Sequence, residues 1–422
     1  MRMPDRLAEQ IVQFLRLDES GAVADVEGFT ARDWSRVLPW LDAGGLALYF
    51  LHRLEGRHGG SILPPAILTR LRQNQEDNRQ RTKAFVEEMR VIHRRFAASE
   101  VEFALLKGYS LVPAYCPAPA LRHQCDLDYL ISENDVHLAG RVLHALGYSR
   151  LGRAPDSYTF ARSTGDLPRR DNIYKAQLNY SVELHTTLWD NDEVAKLEQL
   201  PHAFDRRQPY QVSGLIFPVL ALEDQFIHQC MHVLSHVLQF WVRLAWLYEI
   251  AVFLQRMRAD AAFWRAVQDR IEGKAYVAKA VQLVTLLAAS IFHVESPKMR
   301  EGDSRTLRLW VNEYGHQWAL HSLPGSKLSL FLFREFMDEK RWQRLQRQRL
   351  FPVHRPHSAT PVNASHPRRG MRARLAECGY AGQRLAFHIR ETWRYLCEKA
   401  SWQRRLRRIE APACAPLESV MR

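Results

Sequence analysis

Two short runs decide the fold: Glu102–Gly108 (EFALLKG) and Asp126–Ile131 (DLDYLI). Each is a compact apolar segment, bounded by glycine or by a proline-containing loop, and each reads as a buried strand. Side chains on a strand alternate faces with a period of two, so Asp126 and Asp128 point the same way. Leu127, Leu130 and Ile131 mark the strand as part of a core. Two neighbouring carboxylates in such a strand are costly, because like charges and desolvation both disfavour ionisation. A divalent cation offsets both costs. Magnesium suits carboxylates, water and phosphate oxygens, and manganese shares that preference.

The flanking residues extend this constellation. Lys107-Gly108 closes the first strand and opens a short helix expected over residues 109–115. Glycine there lets backbone approach a phosphate, a helix N-terminus offers free N–H groups, and Lys107 adds a point charge. Arg122, in the proline-containing loop Cys116–Gln124 (CPAPALRHQ), can add another. Residues 135–146 read as a helix stopped by Gly147. Strands are expected at Tyr148–Leu151, at Tyr158–Ala161 and at Gln177–His185 (QLNYSVELH), the last alternating apolar and polar residues. Glu183 lies on that strand, with Val182 and Leu184 facing the other way. It is the candidate third acid, as metal ligand or as acceptor of a hydroxyl proton, and His185 shares its face. Two metal ions about 3.5–4 Å apart can steady both oxygens of an in-line phosphoryl displacement.

Around this segment the chain is helical. Residues 5–100 carry apolar positions at three- and four-residue spacing, with Pro64-Pro65 opening a long polar-rich helix over 66–98. Helices are expected near 222–257, 260–270, 274–293, 303–313 and 327–348. Residues 351–370 hold four prolines and read as a linker, followed by a basic helical stretch over 372–408. The expected class is α+β, a small mixed-sheet core embedded between helical regions. The expected division is 1–100 helical, 101–218 α/β core, 219–350 helical, and 351–422 linker with basic helical region. Chemistry is expected where loops converge at the strand ends.

The ordered set LLKGYSL, Tyr115, Leu121-Arg122, DLDYLI and LHALGY resembles the uncharacterised nucleotidyltransferase family of the polymerase-β-like superfamily. The likeness continues through Glu183-Leu184-His185, the helices EDQFIHQCMHVLSH and WVRLAWLYEIAVFL, and Phe351-Pro352, spanning roughly residues 70–355. It implies a small mixed sheet with helices, metal-dependent nucleotidyl transfer, and Asp126 and Asp128 as metal ligands. Two departures stand out. The wider superfamily follows the turn glycine with Gly or Ser, whereas Tyr109 follows Gly108 here; and the third acid is Glu rather than Asp.

The expected activity is therefore transfer of a nucleoside monophosphate from a nucleoside triphosphate to a hydroxyl-bearing acceptor. The residue types allow a sugar, a small molecule, a protein side chain or RNA as acceptor. The alternative is a non-catalytic binding or scaffold protein on the same fold, tied to surface polysaccharide assembly. His228, His232 and His236 recur every four residues and line one helical face. No Glu sits between them as in HExxH, which excludes the zinc-protease arrangement. His185, His232 and His236 are expected behind the acids, contacting substrate or carboxylates.

Composition sets outer bounds. The 422 residues are 46% hydrophobic and 25% charged, ordinary for a globular chain and inconsistent with wholesale disorder. The net charge of +13 is uneven. Residues 341–422 hold 18 Lys+Arg against 5 Asp+Glu, a surplus equal to the whole excess. Such a region suits an anionic partner: RNA, a membrane surface or an acidic protein. Six cysteines without CxxC spacing read as free thiols. The charged N-terminus lacks a signal-peptide core, and the longest apolar run, Ala280–Phe292, falls short of a membrane span. A cytoplasmic protein with no transmembrane segment is expected.

Overall fold

The computed structural model describes residues 4–18, 26–58, 62–154, 157–162, 173–174, 180–189, 198–299, 304–321, 326–350 and 371–410. The fold is α+β, with one mixed seven-stranded sheet set among many helices. Four helices come first: α1 (Asp5–Leu15), α2 (Ala31–Gly44), α3 (Ala47–His58) and α4 (Pro65–Ala98). Pro65 at the first helical position costs no hydrogen bond, so α4 starts there and runs 34 residues. At 1.5 Å per residue it is about 50 Å long.

The strands are β1 (Phe103–Leu105), β2 (Asp126–Ile131), β3 (Ser149–Ala154), β4 (Ser157–Arg162), β5 (Tyr180–His185), β6 (Gln208–Val212) and β7 (Leu215–Val219). Helix α5 (Val136–Ala145) follows β2. Across the sheet the order is β3-β4-β5-β2-β1-β7-β6. Strand β2 is antiparallel to β1 and parallel to β5. In the β2–β5 register Asp126 faces Ser181, Asp128 faces Glu183 and Leu130 faces His185. Leu127, Tyr129, Val182 and Leu184 occupy the alternate positions and are fully buried. Tyr129 packs edge-on against Phe96 of α4 and Phe103 of β1, so α4 covers the face of the sheet turned away from the acids.

The remaining helices are α6 (Leu222–Leu238), α7 (Leu244–Met257), α8 (Ala261–Ile271), α9 (Ala275–Phe292), α10 (Arg305–Trp310), α11 (His316–Leu320), α12 (Phe333–Phe336), α13 (Glu339–Leu350) and α14 (Met371–Glu410).

Several elements differ from the sequence reading; the helix expected over 327–348 is broken at Met337, whose extended backbone separates α12 from α13. The 222–257 helix is two, because Phe240 adopts a left-handed φ of 72° that ends α6. The helix expected over 109–115 is a single 3-10 turn, Gly108–Leu111. Strands β6 and β7 were not expected; they form a hairpin closed by Ser213-Gly214, both at positive φ. Helix α9 reaches 18 residues at a mean hydropathy of 1.7, long and apolar enough on those two measures to cross a membrane. Two thirds of it (67%) is buried against neighbours that include α6 and α7. Its Gln282 is buried too, accepting from the Ser304 amide at 2.9 Å. Residues 177–179 of the expected β5 strand and the 351–370 linker lie outside the described residues.

Candidate active site

The loop between β1 and β2 is held by polar side chains that no surface helix needs. Asn78, Arg81 and Glu88 of α4 are buried and face the sheet side. Asn78 donates to the carbonyls of Ala120 (2.7 Å) and Arg122 (3.2 Å), and Arg81 donates to that of Gln124 (3.0 Å). Each satisfies a carbonyl that would otherwise be orphaned, which fixes the path into β2.

The Lys107-Gly108 turn is held from the other side by α6. Gln229 donates to the Leu106 carbonyl (3.2 Å) and Gln225, one helical turn away, to that of Ser110 (3.0 Å). Gly108 has φ 69°, and a Cβ there would lie 2.3 Å from Nε2 of Gln124. The Gln124 carboxamide fills that space and donates to the Asp126 carbonyl at 2.6 Å. Tyr109, the departure from the superfamily pattern, is buried and donates its hydroxyl to the Thr82 carbonyl of α4 at 2.8 Å. Its bulk serves packing where a smaller residue would leave a gap.

Between these two braces the charged side chains meet. Lys107 Nζ donates to Asp128 Oδ1 at 3.0 Å, and His185 Nε2 lies 3.3 Å from the same oxygen and 3.5 Å from Glu183 Oε2. Asp128, Glu183 and His185 each present a ligand atom, all within 4.8 Å of one another. Asp126 lies two residues before Asp128 on the same face of β2.

The electrostatics follow from crowding. Burial raises the Asp126 carboxyl, and repulsion from Asp128 and Glu183 adds to that, bringing it to about 6. Burial also works against the Asp128 carboxylate, but Lys107 and His185 overcome it and hold the group far below the usual range. His185 is disfavoured by burial, yet its bonds to Asp128 and Glu183 push it up to about 9. Lys107, likewise opposed by burial, is raised by Asp128 and Asp126. Three carboxylates thus share two cations. The Asp128 and Glu183 oxygens, crowded together with surplus negative charge, fit a divalent ion, and His185 would add a ring nitrogen only after losing its proton.

Arg122 is committed elsewhere in this structure. Its Nε donates to Glu249 Oε1 of α7 at 3.0 Å, and the Tyr49 hydroxyl of α3 donates to the same oxygen at 2.7 Å. Burial works against the Arg122 charge, but Glu249 and, to a lesser degree, Asp126 raise its pKa above the ordinary value.

The histidine face of α6 lies beside the acids. Burial, with the Lys107 and His185 charges behind it, lowers His228 to about 3. His232 and His236 are lowered by burial and then by Lys107. Neutral rings of His232, His236, Trp241 and Trp246 pack with centroids 4.1–5.6 Å apart. His232 and His236 touch no carboxylate among the described residues.

The model of a family described as uncharacterised nucleotidyltransferase matches residues 30–293, well over half of the chain. The chain belongs to the uncharacterised nucleotidyltransferase family. The match begins upstream of the likeness seen in the motifs alone, so it takes in α2, α3 and the start of α4, including Tyr49, whose hydroxyl shares Glu249 Oε1 with Arg122. Neither curated proteins nor solved structures give a match. In this nucleotidyltransferase family member, His185, expected beside the acids from its place on the Glu183 face, lies against the carboxylates of both Asp128 and Glu183. Sequence reasoning passed over Gln124, Gln225 and Gln229. Their signal was faint: the two α6 glutamines sit four apart in a helix that also carries acids and histidines, and Gln124 stands just ahead of the acids.

Proposed function

We propose that this chain transfers a nucleoside monophosphate from a nucleoside triphosphate to a hydroxyl-bearing acceptor. The observation that carries the reading is the meeting of Asp128, Glu183 and His185, with Asp126 alongside and Lys107 on Asp128. Asp126, Asp128 and Glu183 would hold magnesium or manganese, with His185 at the same oxygens. The ion, when bound, would supply positive charge against the triphosphate oxygens.

The chain's own groups do the rest. Lys107 is charged and anchored, so it can neutralise phosphate without wandering. Gly108 keeps the turn open where Lys107 leaves the strand. Glu183, more exposed than Asp128, accepts the proton of the acceptor hydroxyl. That oxygen then bonds to the α-phosphorus, the bond from the α-phosphorus to its bridging oxygen breaks, and pyrophosphate leaves with the electron pair. His185 keeps the Glu183 carboxylate oriented through the transfer.

The test is direct. Purified protein should bind nucleoside triphosphate only with divalent metal. Asp126→Ala combined with Asp128→Ala should abolish that binding while circular dichroism stays native. Unchanged metal-dependent binding in the double variant would remove the proposal.

A further inference from the structure

Among the described residues, helix α14 is fastened along one side. Tyr395 and Trp402 are buried against Phe331 with ring centroids 4.8 and 5.2 Å away. Thr392 accepts from Lys327 Nζ at 2.7 Å, and Glu398 accepts from the Tyr314 hydroxyl at 3.1 Å. The opposite side carries Leu385, Ile389, Trp393 and Leu396, exposed at 51%, 63%, 70% and 50%. Their spacing of four, four and three residues places them in one row. Scattered exposed apolar residues need no explanation, but a row of four does.

The same row continues into Arg404 and Arg407, with Arg390 and Arg408 along one flank, all exposed. Among the described side chains of α14 no carboxylate is exposed: Glu391 is buried and Glu398 is half-buried. From Leu385 to Arg408 the row is about 35 Å long.

We infer that this face of α14 lies on an anionic lipid surface, with Leu385, Ile389, Trp393 and Leu396 entering the headgroup boundary. The arginines then meet lipid phosphates. A basic helix with Trp and Leu on its free face has the composition of an interfacial helix, and cationic side chains are drawn to anionic leaflets. A second copy fits poorly. Parallel pairing would set arginine against arginine, and antiparallel pairing would bury arginine against Trp393 and Ile389.

Vesicle sedimentation of the full chain tests this. The protein should pellet with vesicles of phosphatidylcholine containing one-third phosphatidylglycerol, and not with phosphatidylcholine alone. Ile389→Ser with Trp393→Ser, both exposed and so harmless to folding, should lower partitioning at least roughly tenfold. Arg404→Gln and Arg407→Gln should each lower it roughly fivefold. Equal pelleting with both vesicle types, or with neither, overturns the inference. So does undiminished binding by the serine double variant, or retention on polyglutamate without vesicle binding, which would assign the face to an acidic protein.

Discussion

Asp126 and Asp128 differ by environment more than by identity, and substitution should expose the difference. Asp128 neutralises Lys107 and His185 in a buried cluster. Asp128→Asn leaves those cations without their counter-charge, so metal-free stability should fall by about 3–5 kcal/mol. Asp126→Asn instead relieves repulsion and should leave metal-free stability unchanged or raised, while metal-dependent nucleotide binding is lost. Urea unfolding in chelator compares the two, and equal losses would contradict the electrostatics described. Gly108→Ala pairs a left-handed backbone with the Gln124 collision. A loss of about 2–4 kcal/mol is expected, combining the backbone penalty with overpacking. Adding Gln124→Ala should restore the steric part and leave the backbone part. At this scale the acids were legible because alternation is a local rule. That His185 reaches across to Asp128 was not, since that depends on the β2–β5 register, which pairing alone sets.

Helix α4 works as a brace. Asn78→Ala or Arg81→Ala strips partners from partly buried carbonyls of the loop leading into β2, and each should cost about 0.5–1.5 kcal/mol. Because that loop aims Asp126, the variants should also weaken metal-dependent nucleotide affinity, a change that a remote destabilisation would not give; titration calorimetry at a temperature where the variants remain folded separates the two. The long helix itself was legible from Pro64-Pro65 and its apolar spacing. Its inward polar side chains were not, since on periodicity alone they read as a solvated face. The β6–β7 hairpin was missed although Ser213-Gly214 between alternating segments signals a turn. The break between α6 and α7 rests on Phe240 at positive φ, which no phenylalanine advertises. The end of β5 carrying Glu183 and His185 was legible for the same reason as the acids: Val182 and Leu184 interleave with them.

Across the whole molecule, buried neutral imidazoles tie stability to pH. Burial lowers His93 to about 4, and burial with the Arg81 charge lowers His123 to about 3. Above pH about 6.5 neither state is protonated at these rings and their contribution is full. Between 6.5 and 3–4 the unfolded chain takes up protons that the folded chain refuses. Stability should therefore fall with pH by about 1.4 kcal/mol per unit for each ring. Thermal melts between pH 7 and 5 should show the drop, and His93→Gln should make it shallower. An unchanged slope in that variant would acquit the ring. The charge surplus of residues 341–422 was visible in composition, but only the packing of Tyr395 and Trp402 shows which side of α14 it leaves outward.

The odd–even reading frame of β5 has one more consequence. Val182 and Leu184 anchor it in the hydrophobic layer, and Glu183 and His185 occupy the intervening steps. Deleting a single residue inside 180–185 would swap the two sets, driving an acid and an imidazole into oil and aiming aliphatic side chains at Asp128 and Lys107. Length changes upstream, in the connection that reaches the strand, leave the frame intact. Relatives should therefore vary freely in that connection while keeping the strand's length fixed.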